Sequence, residues 1–271
     1  MQPFDLVVIG DPIVDVFLEG HYRNSRFVVE KETVFPGGAL NTYHNTCALC
    51  SGCPIEITWA TSVPDESTQK LTRLVDKQSK EIIEYWDIVE SSRSYAYHQQ
   101  GTVLYPTSAT PHGILISGYN MGVVNSAPKN QEKIGWDFAI VDNRYRTLDL
   151  KYIYGAKTKL WHATGKEYCK EWAKNFDYVL WTNGPKTVQI LSPDNKTKIS
   201  LPVPPTRVID PIGAGDTFVA AVGSYLAMFG ESEIDETMLI NASRFAIDCC
   251  QEVITKKYTM CTTKRVVNVY R

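Results

Sequence analysis

Asp210-Pro211-Ile212-Gly213-Ala214-Gly215-Asp216-Thr217-Phe218 leaves an extended, proline-rich run (Pro202 to Pro205) and opens an apolar helix expected over Asp216–Phe229. Two glycines around an alanine let the backbone pass close to a ligand. The amides of Gly213, Ala214, Gly215 and Asp216 converge where a helix begins, and the first N–H groups of a helix lack internal partners. Such a turn is suited to a phosphate or a transferring phosphoryl group. Asp216 lies in the same turn, where a carboxylate can take the proton of an attacking hydroxyl. In-line positioning, charge stabilisation and a base are what phosphoryl transfer asks for. No Gly-Lys-Ser/Thr follows, so the stretch is not a Walker loop. The first strand ends Gly10-Asp11-Pro12, without the Gly-x-Gly-x-x-Gly of a dinucleotide site.

Upstream, short buried runs alternate with helical patterns. Leu6–Gly10, Glu56–Ala60, Gly113–Ser117, Phe138–Asp142, Thr158–His162 and Tyr178–Trp181 read as strands. Val188–Leu191 and Lys198–Leu201 read as a hairpin across Ser192-Pro193-Asp194-Asn195. Helices are expected at Ala39–Leu49, Glu66–Lys77 (Leu71, Leu74 and Val75 on one face), Glu167–Trp172 and Thr237–Val253. This alternation predicts an α/β fold with a mostly parallel sheet covered on both faces. Val14–Leu18 and Phe27–Val34, separated by polar Glu19–Ser25, and a second β-rich patch at Ser94–Tyr105 stand outside it. They are expected to pair as a small β lid over one edge, with lid segments at about 12–35 and 93–107 of a single domain, 1–271.

A net charge of −2 gives no basic field for nucleic acid or an anionic membrane, so a bound anion is held by local geometry. Leu6–Ile9 is too short for a signal core, and no run reaches the roughly 18 apolar residues of a span, so a cytoplasmic location is expected. That address makes the seven cysteines free thiols. Cys47-x-x-Cys50-x-x-Cys53, with His44 before it, has a metal-like spacing. No second cysteine pair completes a ligand set, and the favoured reading is a buried helix whose small positions are cysteines.

The 210–218 stretch resembles the C-terminal signature of the PfkB/ribokinase family of carbohydrate kinases. Gly10-Asp11-Pro12-Ile13-Val14-Asp15 is similar to that family's first strand and substrate-binding aspartate, and Pro36-Gly37-Gly38-Ala39-Leu40-Asn41 to its Gly-Gly helix start. Ile116-Ser117-Gly118-Tyr119-Asn120-Met121-Gly122 resembles a segment of bacterial heptose-phosphate kinases, the kinase domain of ADP-heptose synthases. Val141-Asp142-Asn143-Arg144 and Thr182-Asn183-Gly184 resemble strand ends lining a nucleotide site. The resemblance implies a three-layer ribokinase-like sandwich with a β lid, using ATP and Mg²⁺ and admitting a monovalent cation. It implies a catalytic group of Asp216, Gly213, Ala214 and Gly215, and substrate contacts from Asp15, Gly37, Gly38 and Asn41. Nucleotide contacts fall on Arg144, Thr182, Gly184, Asp210 and Asn241, and Mg²⁺ on Glu167. The residues alone also allow Asn41 as a helix cap, Asp15 as a turn acid, Glu167 as a first-turn helix acid and Arg144 as a loop cation.

The sequence departs from the family pattern in three places. Pro211 stands for the usual Ser or Thr, Thr164 for an Asn, and Gly118 and Met121 for an acid and a lysine. The implied activity is phosphorylation of a hydroxyl on a sugar or sugar phosphate. A silent sugar- or nucleotide-binding protein and a nucleoside or vitamin kinase are the other readings. The expected partner is a small molecule, with exposed lid edges admitting a homodimer.

Overall fold

The computed structural model describes residues 4–59, 69–78, 82–87, 112–119, 135–143, 150–165, 168–192, 197–230, 234–258 and 261–269. The apolar runs form β1 (Phe4–Gly10), β4 (Ile55–Trp59), β7 (His112–Gly118), β8 (Phe138–Asn143), β9 (Thr158–Thr164) and β10 (Tyr178–Thr182), all parallel. The hairpin β11 (Thr187–Leu191) and β12 (Thr197–Pro202) adds two antiparallel strands. The resulting order is β12-β11-β10-β9-β8-β7-β1-β4.

Because strand side chains alternate between faces, neighbouring residues feed different cores. Leu6, Val8, Leu115, Ile140, Leu160 and Leu180 pack with Val219, Val222 and Leu226 of α3 (Ala214–Phe229) and with Leu239 and Ala246 of α4 (Glu236–Ile254). Val7, Ile9, Ile116, Val141, Trp161 and Val179 pack on the other side with Trp136, Ile153 and Phe176. Strands buried on both faces read as continuous apolar runs, which is why they were legible. Among the described residues no helix is long and apolar enough to cross a membrane.

The second sheet has the order β3 (Arg26–Gly37), β2 (Pro12–Arg23), β5 (Gln69–Asp76), β6 (Ile82–Asp87). Strands β2 (Pro12–Arg23) and β3 (Arg26–Gly37) form a long hairpin. Its turn is Asn24-Ser25, with φ of 50° and 61°. Two consecutive left-handed residues suit the twist of a tight hairpin, so the polar Glu19–Ser25 segment is mostly strand rather than a separator. Strand β3 is an outer strand and exposes Val28, Val29 and Val34.

The helix expected over 66–77 is instead β5 (Gln69–Asp76), paired with β2 and with β6 (Ile82–Asp87). Leu71, Leu74 and Val75 match a helical spacing, but Arg73 is buried beside them. A buried charge masks the alternation that would mark a strand. Among the described residues, β5 and β6 join the hairpin in the small sheet; the 93–107 patch lies outside the described residues. The helix expected at 167–172 is α2 (Lys170–Ala173), shorter and later. The expected helix is α1 (Gly38–Leu49), but of the cysteine-rich stretch it holds only Cys47: Cys50 is its C-cap and Cys53 lies beyond it.

The C-terminal segment is fastened to α4 by Glu252, whose carboxylate accepts hydrogen bonds from Lys256 Nζ (2.6 Å), Thr262 Oγ1 (2.6 Å) and Thr263 N (3.0 Å). Burial pushes this carboxyl up, but those hydrogen bonds outweigh it and hold it at about 2, against an ordinary 4.5. A depressed acid contributes stability above its unfolded value, and the contribution is lost as pH falls through the folded one. Glu252→Gln is expected to cost about 1–3 kcal/mol at pH 7. Acid should erode the variant less than the wild type between the two values that bound Glu252's titration. Urea titrations at neutral and acid pH check this; equal stability at neutral pH would remove the role given to Glu252.

Candidate active site

The signature loop does what its glycines allow. Gly213 is the N-cap of α3 with φ 79°, a left-handed conformation that an L side chain rarely adopts. The intrahelical ladder starts with Thr217 N to Gly213 O (2.9 Å), and Ala214 N reaches Pro211 O (3.3 Å). Among the described residues, the N–H groups of Gly213 and Gly215 have no acceptor. A 16-residue helix therefore presents free donors at its positive end. Below the loop, Cys250 Sγ donates to Ala214 O (3.2 Å).

Asp216 is buried in the first turn of α3. Tyr119 Oη donates to its Oδ1 (3.0 Å) and Asn41 Nδ2 to its Oδ2 (3.1 Å), fixing the carboxylate from β7's end and from α1. Asn41 is held in turn by Asn45 Nδ2, which donates to Asn41 Oδ1 (2.9 Å). The N-cap of α1 is Gly37, so Asn41 is not a cap. It orients the acid. Tyr119 is itself placed by Asp11, whose Oδ2 accepts from the Tyr119 amide (2.6 Å).

Asp15 arrives from the small sheet. Its Oδ1 accepts from Arg73 Nη1 of β5 at 2.7 Å, and both side chains are 4% exposed. This is a buried ion pair rather than a turn acid. Gly37 is small by necessity, because a Cβ there would lie 2.8 Å from the Asp15 carboxyl carbon. Gly37 touches Asp15, and Asn41, one helical turn later (about 5.4 Å), touches Asp216. The first turn of α1 thus spans the gap between the two acids.

Asp210 closes the loop from behind. Its Oδ1 accepts from Ile212 N and its Oδ2 from Tyr258 N, both at 3.0 Å. Burial pushes its carboxyl up, opposed by those two amides and by the nearby charge of Arg73. The Arg73–Asp15 pair is thus within electrostatic reach of the signature loop.

His162 was not singled out by its spacing in the sequence. It is buried under the loop: its ring stacks on Phe218 (5.1 Å, 23°), and a Cβ on Gly215 would meet its Cε1 at 3.6 Å. Its Nε2 meets Thr182 Oγ1 at 3.2 Å, and its Nδ1 lies 3.4 Å from Asp142 Oδ1. Thr182 is therefore tied into the site through His162. Gly184 follows in an open turn, with nothing within 4 Å of an added Cβ. Tyr119 lies in the family-like 116–122 stretch but no role for it follows from the sequence, and His162 has no ligand spacing; each is recruited at or near a strand end.

Asn241 stands apart. It is exposed on α4 and lines a cavity of about 530 Å³ with Tyr225, Arg244, Phe245 and Lys264, to which the signature loop contributes no residue. Arg144 and Glu167 lie outside the described residues. The cysteines are free, with burial raising Cys50 and Cys249 to about 12. Among the described residues no three His, Cys, Asp or Glu side chains cluster as metal ligands.

The family model for pfkB family carbohydrate kinase matches residues 154–265, the stretch that holds His162, Thr182 and the whole signature loop. No curated protein matches by sequence. Among solved structures, the ribokinase of Thermotoga maritima superposes with a TM-score of 0.65 at 13% identity, covering 97% of each chain. The nucleoside kinase of Methanocaldococcus jannaschii, an archaeal member of the ribokinase family, gives 0.63 at 16% identity, covering 98% of this chain and 97% of that one. Phosphofructokinase-2 of Escherichia coli, in complex with substrates and products, gives 0.60 at 14% identity, covering 97% and 96%. At these identities the likeness is one of fold. The chain is thus a ribokinase-like α/β protein, with a large, mostly parallel sheet and a separate small one, whose residues 154–265 carry the pfkB carbohydrate kinase pattern.

Proposed function

We propose that this chain is an ATP-dependent kinase that phosphorylates a hydroxyl of a sugar or sugar phosphate. The observation that carries the reading is the pairing, in one turn, of a carboxylate fixed by two donors with the open N–H groups of Gly213 and Gly215. Those donors, the left-handed Gly213 and the positive end of α3 fit the terminal phosphate of a nucleotide. MgATP, when bound, supplies the phosphoryl group and the metal charge that neutralises it. Support also comes from relatives of this fold: a fructokinase of Vibrio cholerae holds fructose, ADP and potassium, and phosphofructokinase-2 holds fructose-6-phosphate.

Asp216 takes the acceptor's hydroxyl proton as that oxygen bonds to phosphorus and the bond from phosphorus to the ADP oxygen breaks. Tyr119 and Asn41 hold the carboxylate in the orientation that receives the proton. The amides of Gly213 and Gly215 meet the charge that develops on the phosphoryl oxygens. Asp15, kept in place by Arg73, and the Gly37-Gly38 turn form the acceptor side.

A coupled ADP-release assay with Mg²⁺ across pentoses, hexoses, sugar phosphates, heptose phosphates and nucleosides tests this. Turnover with a sugar or sugar phosphate is expected. Turnover only with nucleosides would move the acceptor class, and ATP binding with no ADP release for any acceptor would overturn the kinase reading.

A further inference from the structure

Tyr258 is a large aromatic residue with φ of 67°. Non-glycine residues are uncommon in that region, and the conformation persists only where the surroundings over-determine it. The surroundings here come from both halves of the site. On the signature side, the Tyr258 amide donates to Asp210 Oδ2, while Asp210 Oδ1 accepts from Ile212, the residue preceding Gly213. On the small-sheet side, the ring stacks on Phe35 of β3 (5.0 Å, 22°) and meets Phe17 of β2 edge-on (4.8 Å, 62°). Its hydroxyl donates to Glu19 Oε2 of β2 (3.2 Å). Phe17 in turn lies 5.1 Å from the Arg73 guanidinium that holds Asp15.

We propose that Tyr258 is a positioning residue that couples the small sheet to the loop carrying Asp216. Its backbone fixes Asp210 and hence the turn at Gly213; its ring fixes β2 and β3 and hence the Arg73–Asp15 pair. The left-handed backbone ties the two tasks together, because turning the amide toward Asp210 is what directs the ring onto the touching pair Phe17 and Phe35. A shift of the small sheet therefore moves the Tyr258 ring, and the same residue's amide carries the shift to Asp210 and the anion-binding turn. The acceptor side and the phosphoryl side are thereby kept in register. This inference rests on the kinase reading of Asp216.

The test compares the wild type with Tyr258→Phe and Tyr258→Gly. Glycine adopts this φ without steric cost, so the second variant removes the ring while sparing the fold. In native-state hydrogen exchange, Tyr258→Gly is expected to speed exchange about tenfold or more at both β3 and Ile212–Gly215, with β1 and β7 unchanged. Tyr258→Phe, which loses only the Glu19 contact, should shift both regions less. With an acceptor from the assay above, Tyr258→Gly should raise the acceptor KM about fivefold or more and lower kcat, Tyr258→Phe falling between. Loosening of β3 with wild-type exchange at Ile212–Gly215, or no change in either, overturns the coupling, as does a variant with wild-type KM and kcat. A wild type that releases no ADP with any acceptor instead refutes the kinase reading, and the exchange comparison still decides the coupling.

Discussion

Asp216→Asn is expected to lower kcat by about 10²–10⁴, the usual loss when a general base is removed. The substitution keeps the shape of the side chain, so the effect is chemical rather than steric. It also disturbs the hydrogen bonds. Tyr119 and Asn41 both donate to the carboxylate, whereas an asparagine offers one acceptor oxygen and one donor nitrogen. The new amide can turn its oxygen to Asn41 Nδ2 and its nitrogen to Tyr119 Oη, which then accepts. Two bonds to a charged group become neutral ones, and a thermal or urea titration should register a loss of about 0.5–1.5 kcal/mol. The amides of Gly213 and Gly215 are untouched, so nucleotide binding should remain close to wild type by calorimetry. Wild-type turnover in this variant would remove Asp216 from the base role, and loss of nucleotide binding together with turnover would make it a structural residue of the loop.

Arg73→Met is expected to destabilise the protein by about 3–5 kcal/mol, since it leaves the Asp15 carboxylate buried without its partner. The pair is 2.7 Å apart with both side chains 4% exposed, so solvent screens it little. The guanidinium also lies over the Phe17 ring, a contact of the order of 0.5–2 kcal/mol that methionine only partly replaces. Combining Arg73→Met with Asp15→Asn should recover much of the loss, because no charge is then stranded. Urea unfolding of the wild type, both single variants and the double variant closes the cycle. Additive effects would mean that Asp15 and Arg73 are not coupled as the geometry has them. With an acceptor in hand, the acceptor role proposed for Asp15 has Arg73→Met also raise its KM, since Arg73 holds that carboxylate.

Much of the architecture was legible because it depends on local pattern. Leu6–Gly10 and Phe138–Asp142 are strands buried on both faces, and such strands show themselves as apolar runs. The 210–218 stretch was legible for a related reason: glycines at a helix start, with an acid in its first turn, are features of neighbouring residues. The 66–77 segment was misread because its decisive contact is distant. Arg73 looks like the solvated side of a helix until Asp15, 58 residues earlier in the chain, supplies its counter-charge. The same distance hid Tyr119 and His162, which act on residues met only after the chain has closed its sheet.

The order of residues alone therefore determined the strand–helix alternation, the parallel sheet and the glycine turn that opens α3 at Gly213–Asp216, since each depends on periodicity or on a few adjacent side chains. The tertiary structure alone decided which donors fix Asp216, that Asp15 is half of a buried ion pair, and that Tyr258 joins the small sheet to the loop. Those outcomes are contacts between residues far apart in the chain, and no periodicity encodes which distant side chains will share a buried, poorly screened space.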